Sequence, residues 1–261
     1  MKAVLIDLDG VIYKGDKAIA GAIETVEWLD DNAVPYLFVT NTTSRPRGKI
    51  LEKLQGLGLA AAEDKILTPV ITASRWLKAH VSGPVALFVP DATKEDLHGI
   101  SEIAADKEEG AAAVVVGDLG EKWSYPALNR AFRLLMDDSL KPPLVALGMT
   151  RYWRAADGLR LDVAPFVKAL EHATGCRTIV TGKPSPAFFQ QALSIVAAEA
   201  GETLMLGDDI VGDVRGAQSA GLTGILVKTG KFRPADLDGD IKPDAALDSI
   251  ASLPAWWNKY A

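Results

Sequence analysis

Four short stretches carry residues whose types and spacing suit phosphoryl chemistry. Asp7 and Asp9 stand two residues apart and are followed at once by Gly10, which lets the backbone turn sharply where the two carboxylates project. Such a pair can hold Mg²⁺. An ionised aspartate can also attack phosphorus to give an aspartyl-phosphate, while a second carboxyl protonates the leaving oxygen and then deprotonates the incoming water. The second stretch, Thr40 to Ser44, ends an apolar run in hydroxyls and one amide, Asn41; Arg45 and Pro46 read as the start of a helix that Ser44 would cap, an entrance suited to an anion. In the third, Pro184 biases Lys183 toward extended backbone, Ser185 can cap and Pro186 suits a first helical turn, so Lys183 would project beside a helix N-terminus and neutralise phosphate. The fourth places Asp208, Asp209 and Asp213 after the run Leu204 to Gly207, a hard-cation composition. Mg²⁺ usually takes one or two protein carboxylates with waters and substrate phosphate, so Asp7, Asp208 and the Asp9 carbonyl would suffice. Each stretch taken singly is also an ordinary capped turn. Together, each at the end of an apolar run, they supply the parts phosphoryl transfer needs.

The elements that must position them follow from periodicity. Ala3 to Asp7 is a continuous apolar run ending at a carboxylate, as expected of a strand buried on both faces of a parallel sheet, and function is expected at such a strand's end. Ala22, Val26, Leu29 and Ala33 predict a helix over 21–33, and Val34 to Thr40 a second strand. From Thr178 the pattern continues: a strand to Thr181, a helix from Pro186 to about Glu199, a strand over Thr203 to Leu206, a helix near 212–220 and a strand from Gly224 to Lys228. This alternation predicts a doubly wound α/β core built from 1–75 and 178–261. The middle, 76–177, has its own apolar strands at Val85 to Val89, Ala112 to Val116 and Leu144 to Leu147, and reads as an inserted α/β unit. The acidic cluster Asp106 to Glu109 reads as a solvated helix end. Within the insertion, Thr150 to Arg160 sets three arginines and two aromatics around a turn. Tyr152 and Arg154 there either recognise the non-phosphate part of a substrate or belong to a basic hairpin with a packed aromatic.

Composition bounds the alternatives. In 261 residues, 48% hydrophobic and 24% charged with a net charge of -6, neither disorder nor a basic nucleic-acid surface is indicated. Apolar runs such as Ala111 to Val116 fall far short of the roughly 20 residues a membrane-spanning helix needs. The single cysteine, Cys176, and three scattered histidines give no disulfide and no zinc-type spacing, so the cytoplasm is the expected compartment.

The order of these motifs, Asp7 to Gly10, then Thr40 and Asn41, then Lys183 and Pro184, then Gly207 to Asp213, resembles the haloacid dehalogenase superfamily of phosphohydrolases. The insertion between the threonine and lysine motifs is similar to the large α/β cap of the subfamily that includes nucleotidase and p-nitrophenyl phosphatase-like enzymes. The resemblance extends through Leu161 to Glu171 and Thr229 to Pro234. It implies a Rossmann-like core with a specificity cap, and an Mg²⁺-dependent phosphatase acting on small phosphorylated metabolites. Asp7 would be nucleophile and metal ligand, Asp9 general acid/base and carbonyl ligand, Thr40 and Asn41 phosphate-binding, Lys183 charge-orienting and Asp208 a metal ligand. Asp209 and Asp213 would bind through water or orient Lys183 and the metal waters. The animal proteins of nearest resemblance tend to replace the second motif aspartate, whereas this chain keeps Asp9 and so a complete acid/base step; Ala164 stands where those proteins usually have glycine. A phosphotransferase of the same fold and a non-catalytic phosphate-sensing protein are the alternatives, and a homodimer is left open.

Overall fold

The run Val4, Leu5 and Ile6 can satisfy both faces of a sheet only inside it, and β1 (Ala3–Asp7) is buried along its whole length. The computed structural model describes residues 1–155 and 157–260, with the side chains of 154 and 155 outside the description. After β1 come a small hairpin, β2 (Tyr13–Lys14) and β3 (Lys17–Ala18), helix α1 (Ala22–Asp31), strand β4 (Tyr36–Val39), helix α2 (Arg47–Gly56) and strand β5 (Ile66–Leu67). Next are α3 (Pro69–His80), β6 (Val85–Phe88), β7 (Ala113–Val116), α4 (Tyr125–Leu135), β8 (Leu144–Ala146), β9 (Tyr152–Ala155), β10 (Gly158–Leu161), α5 (Val163–Thr174) and β11 (Thr178–Val180). The chain ends with α6 (Pro186–Val196), β12 (Thr203–Gly207), α7 (Gly216–Ser219), β13 (Thr223–Val227), β14 (Ala245–Leu247) and α8 (Leu253–Tyr260).

Contacts divide the chain into two units, one of 1–40, 47–67 and 183–261, the other of 41–46 and 68–182. The first holds a six-stranded parallel sheet in the order β14-β13-β12-β1-β4-β5. Val4, Ile6, Phe38, Leu204, Leu206 and Ile225 from its central strands pack with Val26 and Leu29 of α1. The second holds a four-stranded parallel sheet, β11-β8-β7-β6, and the antiparallel hairpin β9-β10. Thr68 caps α3 by accepting the Ile71 N–H, and Asp162 caps α5 by accepting that of Val163. Among the described residues no helix is long and apolar enough to cross a membrane.

Several expectations need correction. Thr178 to Val180 pairs with Leu144 to Ala146 in the second unit's sheet, not with the first; it is a half-buried edge strand, and nothing in its own residues names its neighbour. The division falls at 67/68 and 182/183 because Val70, Ala73 and Leu77 of α3 pack on Val85, Val115 and Val145 of the second unit. Helix α2 starts at Arg47, leaving Ser44 too far upstream to cap it, since Pro46 disfavours helical backbone at Arg45. Asp106 to Glu109 is solvated as expected but lies in turns and bends, not at a helix end. Helix α6 stops at Val196, where Ala197 turns left-handed, and the helix expected near 212–220 begins at Ile210 as a π-helical turn before α7.

Candidate active site

Strands β1 and β12 are neighbours with Ile6 opposite Leu206, so Asp7 at the end of one and Asp208 just beyond the other emerge side by side. On one side of this pair the chain proceeds through β4 and β5, on the other through β13 and β14. The direction of winding therefore reverses between β1 and β12, and in open α/β sheets the ligand crevice forms at that reversal, beyond the carboxyl ends of the strands.

Lys183 reaches this point from the segment before α6. Its Nζ lies 2.6 Å from Asp7 Oδ1 and 2.7 Å from Asp213 Oδ1, with the three side chains 3%, 9% and 2% exposed, so water screens neither ion pair. Ser185 holds the N-cap position of α6 with extended backbone, but its side chain makes no capping bond. One carboxylate oxygen from each of Asp7, Asp208 and Asp213 falls within 4.8 Å of the others. Three buried carboxylates around one lysine leave excess negative charge. Burial lifts the Asp7 carboxyl above its usual value, with Lys183 opposing; burial likewise pushes Asp208 and Asp213 up to about 6. Burial disfavours the Lys183 ammonium, but Asp213 and Asp7 outweigh it and hold it above the usual lysine range.

The two acids beyond β12 divide the work. Asp213 has both oxygens engaged, Oδ1 by Lys183 and Oδ2 by the Asp209 N–H at 3.1 Å. Asp209 Oδ1 accepts the N–H groups of Val211 and Gly212 and caps the π-helical turn Ile210–Arg215, in which the Val214 N–H reaches five residues back to the Asp209 carbonyl. Asp208 differs: Oδ2 accepts the Lys231 N–H at 2.7 Å, while Oδ1 is buried with no hydrogen-bond partner. A buried anionic oxygen without a donor, beside other carboxylates, suits a hard divalent cation, and the donor set fits one.

Of the remaining expected residues, Asp9 has an exposed side chain, and its turn is closed by the Gly10 N–H to the Tyr13 carbonyl at 2.7 Å. Thr40 is buried at the end of β4, its N–H donating to the Leu67 carbonyl. Asn41 is exposed and groups with the second unit, where a Cβ on Gly182 would stand 3.0 Å from its Oδ1. In the hairpin, Tyr152 and Trp153 are exposed at 51% and 42%, so neither is a packed core aromatic. The Arg154 side chain lies outside the described residues. Ala164 is buried in the first turn of α5, donating its N–H to the Thr150 carbonyl.

Sequence reasoning gave no chemical role to the turn after β13. Thr229 Oγ1 donates to the Gly10 carbonyl at 2.5 Å, and Gly230 abuts both Gly10 and Asp208. The available signal was position: Thr229 follows a strand of the same parallel sheet at its carboxyl end.

A sequence profile described as haloacid dehalogenase-like hydrolase matches residues 4–101, and a related HAD hydrolase-like profile matches 180–253. The chain is 39% identical to human phospholysine phosphohistidine inorganic pyrophosphate phosphatase over 96% of its own length and 92% of the relative's. It is 43% identical to bovine haloacid dehalogenase-like hydrolase domain-containing protein 2 over 91% of this chain and 88% of that one. The p-nitrophenyl phosphatase from Archaeoglobus fulgidus superposes with a TM-score of 0.88 at 28% identity, covering 98% of each chain. Identity at this level across nearly the whole length places the chain in the haloacid dehalogenase-like hydrolase family.

Proposed function

We propose that this hydrolase is a Mg²⁺-dependent phosphatase of small phosphorylated metabolites, working through an aspartyl-phosphate on Asp7. The observation that carries the reading is Lys183 fixed between Asp7 and Asp213 beside the unsatisfied Asp208 Oδ1. Asp7 and Asp208, with the Asp9 carbonyl, would hold the cation, which when bound supplies charge neutralisation for the phosphoryl oxygens. In the first half-reaction an Asp7 oxygen forms a bond to phosphorus as the bond to the leaving oxygen breaks, and the Asp9 carboxyl gives that oxygen its proton. In the second, water attacks the same phosphorus, the Asp9 carboxylate takes its proton, and Asp7 and inorganic phosphate separate. Lys183 orients Asp7 and screens its charge from the incoming phosphate, and Thr40 and Asn41 bind the phosphoryl oxygens. Asp213 positions Lys183, and Asp209 holds the turn that carries Asp213.

The second unit is then the substrate-specificity cap, with Tyr152 and Arg154 on its hairpin as the selecting residues. The expected setting is the cytoplasm. The human relative is named for phospholysine, phosphohistidine and pyrophosphate, so these join phosphomonoesters as candidate substrates. The test is phosphate release from such a panel with Mg²⁺, with chelator, and by Asp7→Asn. Turnover that requires both Mg²⁺ and Asp7 is expected; release that survives chelation or Asp7→Asn sinks the mechanism, and no release from any compound points instead to a phosphotransferase or a phosphate sensor.

A further inference from the structure

The turn after β13 takes no part in the chemistry above, yet it makes three contacts with the residues on the cation side, all within the first unit. Thr229 Oγ1 ties to the Gly10 carbonyl at 2.5 Å. Gly230, at φ +62°, lies so close that a Cβ would fall 1.9 Å from Asp208 Oδ2 and 2.6 Å from the Gly10 Cα. The Lys231 N–H donates to Asp208 Oδ2 at 2.7 Å, leaving Oδ1 as the buried oxygen without a partner. The last torsion of an aspartate is broad, so only an outside donor decides which oxygen faces which way.

We propose that Thr229, Gly230 and Lys231 form a latch that orients Asp208, committing Oδ2 to a backbone donor so that Oδ1 is presented to the cation. This rests on the reading of Asp208 as a cation ligand. Lys231 is a positioning residue through its backbone N–H alone. Its ammonium, 3.3 Å from Asp209 Oδ2 and largely exposed, acts with the opposite sign, because positive charge close to the acidic cluster opposes a second cation. One residue thus carries two separable effects, the N–H strengthening cation binding and the side chain weakening it.

Calorimetric titration of Mg²⁺ into the metal-free full-length chain separates them. Loss of a group that orients a ligand typically lowers metal affinity about 10- to 100-fold. Thr229→Val, which keeps shape and removes the tie to Gly10, should weaken binding by about 10-fold at the low end of that range. Lys231→Met keeps the N–H and removes the charge, and should bind at least as tightly as the unaltered protein. Lys231→Pro removes both, and should bind at least about 10-fold more weakly than Lys231→Met. The thermal midpoint of each metal-free variant reports whether it is folded, and Thr229→Val decides the matter if Lys231→Pro is not. Thr229→Val equal to the unaltered protein, with Lys231→Pro equal to Lys231→Met where folded, overturns the latch and leaves the cation site standing; an unaltered protein that binds no divalent cation overturns both.

Discussion

Replacing Lys183 by methionine keeps the unbranched stem and removes only the charge that joins Asp7 Oδ1 to Asp213 Oδ1. With the three side chains almost wholly buried, water cannot take the ammonium's place. The carboxylates then either stay ionised and unpaired, at about 3–5 kcal/mol for a broken buried pair, or one takes up a proton. In the unaltered protein burial already holds Asp213 at about 6, so keeping it neutral at pH 7 in the variant costs only on the order of 1 kcal/mol more, at about 1.36 kcal/mol for each unit of separation, and protonation caps the loss near that value. For a chain of this size each kcal/mol moves the thermal midpoint by about 2–4 °C, which predicts a fall of about 3–5 °C at pH 7. The sign with pH follows. In the variant the carboxyl's folded value lies further above its unfolded one, so its stability is greatest below 3.8 and declines as pH rises. The deficit should therefore shrink on acidification and be nearly gone at pH 5, where the Asp213 carboxyl, at about 6, is protonated in both proteins. Differential scanning calorimetry in chelator from pH 5 to 8 measures it. A deficit that does not change with pH, or one below about 2 °C at pH 7, would show that Lys183 is not the counter-charge of these acids.

Burial lifts Asp208 to about 6, so in the cation-free protein it favours the fold most below 3.8 and loses that contribution as pH rises through 6. Because a cation needs the ionised form, apparent Mg²⁺ affinity should climb by about tenfold per unit up to roughly pH 6 and level off above it; calorimetric titration giving a flat profile would contradict this. Gly230→Ala places a Cβ 1.9 Å from Asp208 Oδ2 at a φ of +62°, and urea unfolding should show a loss of about 2–4 kcal/mol. Asp9→Asn should lower kcat by about 10²- to 10⁴-fold while leaving the midpoint of this exposed position unmoved, and an unchanged kcat removes its acid/base role. Tyr152→Ala, at a half-exposed site, should alter stability by no more than about 0.5 kcal/mol yet reorder the substrate panel; the same order with both proteins excludes it from selection.

How much of this was legible in the sequence depended on what kind of force placed each residue. Ala3 to Asp7 announces its strand because burial on both faces demands an unbroken apolar run. The acids at 7, 208 and 213 were legible as candidates from strand-end position, but Asp213's dependence on Lys183, thirty positions earlier, exists only once α6 and the π-helical turn are in place. Thr178 to Val180 reads as a strand and hides its sheet, since register with Leu144 to Ala146 is a pairing property. Lys231 was invisible for a plainer reason: it holds Asp208 through a backbone N–H that every residue except proline carries.

The turn Ile210–Arg215 winds wider than an α-helix, and its length is therefore part of the site's specification. Substitution at Val211, 44% exposed on its outer side, leaves the winding untouched. Deleting one residue would restore the regular pitch, yet it would also rotate everything downstream by about 100°, carrying Asp213 away from Lys183. Along a lineage of such chains the exposed position Val211 should drift freely in residue type while the segment admits no insertion or deletion, so a gap there is a marker of a lost Asp213–Lys183 pair even where every acid survives.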